Sequence, residues 1–183
     1  MAKYIMGIDQ GTSGTRAMIV GNDCEVVGSA YCAIQQNYPN PGWVEQNPLE
    51  IWNSTLQVIK ESLSNAGLEF KQLAGIGIAN QRETTTFWNK YTGEPLGNSI
   101  GWQDRRSLSI VEKMKSDAGK IIVEKTGMAL LPNISASKIK WLLDYDLEIK
   151  NGVMKNELIY GTIDTWLLWK LSGGKVHISD YSN

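Results

Sequence analysis

Apolar and polar positions alternate in two different periods along the chain. Tyr4 to Asp9 is a short apolar run that closes on a carboxylate, and Gln10-Gly11-Thr12-Ser13-Gly14-Thr15 separates it from a second run, Ala17-Met18-Ile19-Val20. The pair reads as a hairpin about a glycine-rich turn. A third run, Glu25 to Ala33, follows the Gly21-Asn22-Asp23 turn and completes an antiparallel meander, which Pro39 and Pro41 then interrupt. At Asn47-Pro48-Leu49-Glu50 the period changes. A capping amide, a proline at the first helical position and a glutamate at the third predict a helix that runs to about Gly67. Ile51, Thr55, Leu56, Ile59 and Leu63 share one stripe of it, so the helix lies on a sheet. Leu73 to Asn80 is the next strand, and Gly75 and Gly77 leave one of its faces bare, suited to close helix packing.

Further on, the pattern predicts a strand over 83–88, a helix from Arg106 to about Asp117, another from Ser135 to about Tyr145, and a short strand over 158–160. Thr162 caps a last helix whose Ile163, Trp166, Leu167 and Leu171 share a face, and Gly173-Gly174 ends it. A meander followed by alternating strands and helices is an α/β class with a mixed sheet. The 183 residues suffice for one core, and we read them as one domain, 1–183, without repeats or low-complexity linkers. Eighteen basic and nineteen acidic side chains give a net charge of −1, no footprint for nucleic acid or an anionic membrane. The apolar run at the N-terminus is too short for a signal-peptide core, and no later run could span a bilayer, so the expected location is cytoplasmic. Cys24 and Cys32 are expected to be free, buried or half-buried thiols. The single histidine, His177, excludes chemistry that needs two and is expected at a polar position near a strand.

Three stretches could carry chemistry. In Asp9-Gln10-Gly11-Thr12-Ser13-Gly14-Thr15-Arg16, tight turning would expose backbone N–H groups, the hydroxyls of Thr12 and Ser13 add donors and Arg16 adds a cation, a set suited to phosphate oxygens. Asp9 could hold a magnesium ion through water. A plain glycine-rich hairpin turn explains the same residues. At Asn80-Gln81-Arg82-Glu83-Thr84-Thr85-Thr86 a hydrophobic strand ends in polar groups. An Arg82/Glu83 pair there presents donors and acceptors to adjacent hydroxyls, or else is an exposed ion pair on a solvated edge. Trp102, among Gln103, Asp104 and Arg105, is either a substrate wall or a partly buried core residue.

Taken in order, these motifs resemble the FGGY family of carbohydrate kinases. The resemblance is carried by Asp9 to Arg16, Tyr38 to Glu45, Asn47 to Trp52, Gly77 to Thr85, Trp102 to Arg106, Lys138 to Asp144, Gly161 to Leu171 and Asp180 to Asn183, which together cover essentially the whole chain. Asn80 to Thr85 favours the glycerol-phosphorylating branch over the xylulose and gluconate branches. The resemblance implies a ribonuclease H-like, actin-type ATPase fold, with this chain as the incomplete first domain of a two-domain kinase that closes over ATP, Mg2+ and a polyol or sugar. By matching position, Thr12, Ser13, Gly14 and Arg16 would bind the nucleotide phosphates and Asp9 would serve the magnesium. Arg82 and Glu83 would bind the polyol hydroxyls, and Trp102 would wall the pocket. The family's catalytic base is expected beyond Asn183, in a missing C-terminal part, and a homo-oligomer is left open. Where the family pattern has a tyrosine that contacts substrate, this chain has Asn133, which predicts a wider and more polar pocket. The rival readings are a non-catalytic domain that at most binds ligand, a kinase for another polyol or ketose, and an actin- or chaperone-type ATPase.

Overall fold

The computed structural model describes residues 4–183. In chain order the elements are β1 (Tyr4–Gln10), β2 (Gly14–Val20), β3 (Val26–Ala33), β4 (Glu45–Gln46), α1 (Pro48–Ala66), β5 (Leu73–Asn80), β6 (Thr85–Asn89), β7 (Ser99–Ile100), α2 (Leu108–Thr126), α3 (Ser135–Tyr145), α4 (Leu147–Met154), β8 (Leu158–Thr162) and α5 (Ile163–Leu171). They fall into two compact units. One is formed by the chain up to Gln36 with Asn47–Gln81, the other by Asn37–Gln46 with Arg82–Asn183.

The first unit is a four-stranded sheet in the order β3-β2-β1-β5, antiparallel within the meander and parallel between β1 and β5. Period-two alternation puts Met6, Ile8, Ala17 and Ile19 on one face, where they pack with Val58 and Ile59 of α1. The start of α1 follows the local signals: the Asn47 side chain accepts from the Leu49 amide, Pro48 fills the first turn, and Gly67 ends the helix in the left-handed conformation. Its buried stripe is Ile51, Ser54, Thr55, Val58, Ile59 and Ser62, while Leu56 and Leu63 are only half-buried. The small side chains let the helix approach closely. A Cβ on Gly28 of β3 would lie 2.5 Å from the Ser62 carbonyl oxygen. The close helix packing expected on Gly75 and Gly77 is not found there: among the described residues a Cβ at either meets nothing within 4 Å.

The second unit has an antiparallel sheet in the order β4-β7-β6-β8. Phe87 and Ile100 of this sheet pack with Leu142 of α3 and Ile149 of α4. The expected strand over 83–88 begins only at Thr85, because Glu83 has a left-handed backbone (φ 67°) that no strand accommodates. The helix expected to stop near Asp117 runs on to Thr126, where Gly127 turns left-handed and its amide bonds the Val123 carbonyl; the added turns carry a Lys120–Glu124 pair at i,i+4, and Ile121 and Val123 on them are exposed. The α4 helix has no counterpart among the expected elements. Asp146 caps it by accepting from the Ile149 amide.

Ser135–Tyr145 forms the helix that its pattern predicts. Thr162 stands at the cap position of α5, yet its hydroxyl donates to the Asp164 carboxylate and caps no backbone amide. Leu171 is exposed and does not share the buried face of Ile163, Trp166 and Leu167. Cys24 is exposed and Cys32 half-buried, both free, so the expectation of burial fails for Cys24, which sits in the turn before β3. His177 packs edge-on to Trp88, and its Nε2 donates to the Tyr160 carbonyl of β8 at 2.8 Å. Among the described residues no helix is long and apolar enough to cross a membrane.

Candidate active site: a glycine turn and a polar ledge

In the first unit, residues 11–13 join β1 to β2. The turn is closed by the Gly11 amide donating to the Gly14 carbonyl at 2.9 Å, and the Ser13 carbonyl accepts from the Ile34 amide at 3.1 Å and from the Tyr31 hydroxyl at 3.2 Å. A Cβ on Gly14 would fall 2.7 Å from the Cys32 carbonyl oxygen of the neighbouring strand and 2.4 Å from the Tyr31 hydroxyl oxygen, and since the backbone oxygen cannot turn away only glycine fits here. Ser13 is exposed and Thr12 half-buried. Asp9 and Arg16 are register partners across the β1–β2 ladder, and both are exposed on the sheet face away from α1. The Arg16 guanidinium sits 5.5 Å from the Tyr31 ring centre. No group of three or more metal-ligating side chains exists among the described residues. A lone exposed carboxylate fits a magnesium ion held through water.

In the second unit, Glu83 follows the end of the β5 strand and precedes β6. A non-glycine residue in the left-handed region costs about 1–2 kcal/mol, so the neighbourhood must hold it there. Its carboxylate accepts from the Ser135 amide at 2.6 Å and from the Ser135 hydroxyl at 2.7 Å. Ser135 is the first residue of α3. The carboxylate therefore meets the positive end of a helix and satisfies one of its free amides. Among the described residues no ion pair joins Glu83 to Arg82, and Arg82 is exposed.

Asn133 lies two residues before Ser135. Its Oδ1 is buried and has no hydrogen-bond partner among the described residues, an orphan acceptor of the kind that a ligand or water satisfies. Lys138, one turn into α3, is fully buried. Its Nζ donates to the Glu83 carbonyl at 3.1 Å and to the Asn133 carbonyl. Burial pushes the Lys138 pKa down to about 8, although the negative charges of Glu83 and Asp104 oppose the shift.

Trp102 is 39% exposed, and its amide donates to the Thr84 hydroxyl at 3.2 Å. The loop behind it is anchored by Arg106. The guanidinium bonds Glu45 at 2.7 Å and Asp104 at 2.8 Å and stacks 3.7 Å from the Trp43 ring centre, while Asp104 also accepts from the Val44 amide at 2.7 Å. Beside the ledge is a cavity of about 690 Å³ lined by Glu83 and Ser135 and by Met114, Ile122, Leu130 and Ile139; Arg82, Trp102 and Asn133 do not line it.

Ser135, Lys138 and the Glu45–Asp104–Arg106 cluster join the site only through the tertiary structure, and no motif assigns them a role. A lysine four residues before Leu142, on the buried face of an amphipathic helix, is the one signal in the sequence that points to Lys138.

Residues 4–183 match the model of the FGGY family of carbohydrate kinases, N-terminal domain. The chain belongs to this family. Among curated FGGY relatives it is 50% identical over 182 residues to a glycerol kinase of Borrelia duttonii, covering 99% of this chain and 37% of the relative. It is 48% identical over 184 residues to a glycerol kinase of Bacillus licheniformis, covering 100% and 37%. Among solved structures it resembles Plasmodium falciparum glycerol kinase with ADP, with a TM-score of 0.85 and 32% identity over 93% of this chain and 34% of that one. A xylulose kinase from Lactobacillus acidophilus, at TM-score 0.80 and 24% identity over 92% and 33%, shares the fold. The α/β fold with a mixed sheet is thus that of the FGGY kinases, and this chain spans about 37% of the length of the curated relatives it matches.

Proposed function

We propose that this chain is the part of an ATP-dependent kinase that carries the first phosphate turn and the polyol ledge, and that the enzyme transfers the terminal phosphoryl group of ATP to a primary hydroxyl of glycerol or a close polyol. The observation that carries the reading is Glu83: a left-handed backbone, held by Ser135 and Lys138, is strain of the sort that persists at ligand sites. In this reading Arg82 donates to substrate hydroxyls and the Glu83 carboxylate accepts from them, keeping lone pairs free beyond its two bonds to Ser135. Trp102 supplies an apolar wall for the carbon chain. The half-buried Asn133 side chain accepts a further hydroxyl through its unpaired Oδ1 once it turns outward from its buried position.

In the other unit, the Thr12 and Ser13 hydroxyls, the turn backbone about Gly14 and Arg16 bind phosphate oxygens, and Asp9 holds Mg2+ through water. Bound Mg2+ neutralises charge on the transferring phosphoryl group. The general base is supplied by residues outside 1–183, in keeping with the share of the relatives' length that this chain spans. The second reading, a domain that binds ligand without turnover, rests on that same share and applies to the chain by itself.

General-base catalysis alone is worth about 10²- to 10⁴-fold. The chain alone, given MgATP and glycerol, should therefore form no glycerol phosphate above a buffer blank, while a polypeptide of the relatives' full length containing it should turn over. Formation proportional to the concentration of the isolated chain would overturn the division of labour. Absence of turnover with every polyol in the longer polypeptide would overturn the kinase reading.

A further inference from the structure

We infer that Lys138 is the positioning residue of the polyol ledge, its buried Nζ tying the carbonyl of Glu83 to the carbonyl of Asn133 and so holding both ledge segments in one geometry. The inference rests on the polyol-binding reading above and goes beyond it to a residue that no substrate could touch.

Lysine is almost never fully buried unless paired, yet Lys138 shows 0% exposure. It forms no ion pair among the described residues. Its hydrogen bonds go to two backbone oxygens 55 and 5 residues away along the chain. A position with only a packing role would be served as well or better by an apolar side chain of the same volume, since the ammonium must be stripped of water to sit there. What a lysine adds is a pair of fixed donors. One sets the direction of the Glu83 peptide, whose left-handed conformation determines where the carboxylate points, and the other fixes Asn133 two residues ahead of the Ser135 amide that the same carboxylate binds. Glu83 is thus held at both ends, its carboxylate by Ser135 and its carbonyl by Lys138 at 3.1 Å, a shorter contact than the 3.3 Å of the Ser135 and Thr85 hydroxyls to the same oxygen. With its pKa near 8, Lys138 keeps two N–H donors on either side of its titration, so both carbonyls stay served when the charge is lost. Glu83 and Asp104 are the charged groups acting on it.

The test compares Lys138→Met, which keeps the stem and removes both donors, with Lys138→Gln, which keeps two N–H groups on a shorter stem. Amide exchange is followed on the chain itself, and kinetics on the longer kinase polypeptide. In the Met variant the Ser135 amide should exchange at least about 10-fold faster while the Phe87 and Trp88 amides of β6 keep their protection. A misplaced ledge should lower kcat/KM for glycerol by about 10- to 100-fold, chiefly through KM, with the Gln variant falling between Met and parent. Ser135 protection within twofold of the parent, or a uniform loss of protection throughout the second unit with kcat/KM unchanged, would reduce Lys138 to a packing residue. Should the Met variant not fold, Lys138→Leu, which likewise removes both donors, takes its place, and parent-like values in both measurements overturn the positioning role in the same way. Failure of the parent to phosphorylate any polyol would count against the proposed function, and the exchange measurement would still decide the role of Lys138.

Discussion

Replacing Glu83 separates its two structural burdens, the carboxylate that binds α3 and the backbone in the left-handed region. Glu83→Ala removes both acceptor contacts to Ser135, 2.6 Å from its amide and 2.7 Å from its hydroxyl. Hydrogen bonds to a charged group contribute about 1.5–3 kcal/mol, and the Ser135 amide is left at a helix start with no cap, so a loss of about 2–3 kcal/mol is expected after side-chain entropy is regained. Glu83→Gly makes the same deletion but relieves a φ of 67°. At an ordinary position glycine is less stable than alanine by about 0.5–1 kcal/mol. Here the relief of about 1–2 kcal/mol should reverse that order and leave the Gly variant equal to or more stable than the Ala variant. Urea unfolding followed by tryptophan fluorescence is the suitable assay, because every tryptophan except Trp52 lies in the second unit. In the longer kinase polypeptide both variants should also lose roughly 10- to 1,000-fold in kcat/KM for glycerol. An Ala variant within about 0.5 kcal/mol of the parent, the range of an ordinary surface change, together with Gly below Ala, would show that Glu83 is neither tied nor strained as described.

Two further outcomes follow from the same geometry. Asn133→Tyr, which fills volume and removes the orphan acceptor Oδ1, should shift the ratio of kcat/KM for erythritol or xylulose over glycerol by at least about 10-fold in favour of glycerol, an apolar filling being worth about 1–3 kcal/mol; unchanged ratios would make Asn133 a bystander. Burial lowers the Lys138 pKa from 10.5 to about 8. Between those values the folded chain has released a proton that the unfolded chain still binds, so stability should rise with pH through this window, by on the order of 3 kcal/mol relative to Lys138→Met. A pH-independent difference between the two proteins, measured by urea unfolding from pH 7 to 10.5, would remove the titration from Lys138.

Elements whose causes are local are legible in the sequence. The start of α1 lies in Asn47-Pro48, its end in Gly67, and the whole of α3 in the apolar spacing of residues 135–145, because capping and helical amphipathicity are settled within a few residues. The meander is readable for the same reason, each turn being written in adjacent residues. The extent of α2 is not, because its last two turns bury no apolar stripe that would mark them, Ile121 and Val123 being exposed, and α4 escapes because eight residues give too little periodicity.

The candidate residues are legible as types but not as contacts. Arg82 and Glu83 stand out as polar groups at the end of a strand, and nothing in their spacing could show that Glu83 leaves Arg82 and binds Ser135, 52 residues away. Nor could it show that a lysine on α3 would be buried to hold two carbonyls. The parallel placement of β5 beside β1, and a division into two units that cuts between Gln81 and Arg82, likewise depend on pairings across long stretches of chain. Propensity, capping and turn chemistry act on neighbours in sequence and are written there. The sheet order, the left-handed turn at Glu83 and the burial of Lys138 arise where distant segments must satisfy one another's hydrogen bonds away from water, and only the tertiary structure decides which of them meet.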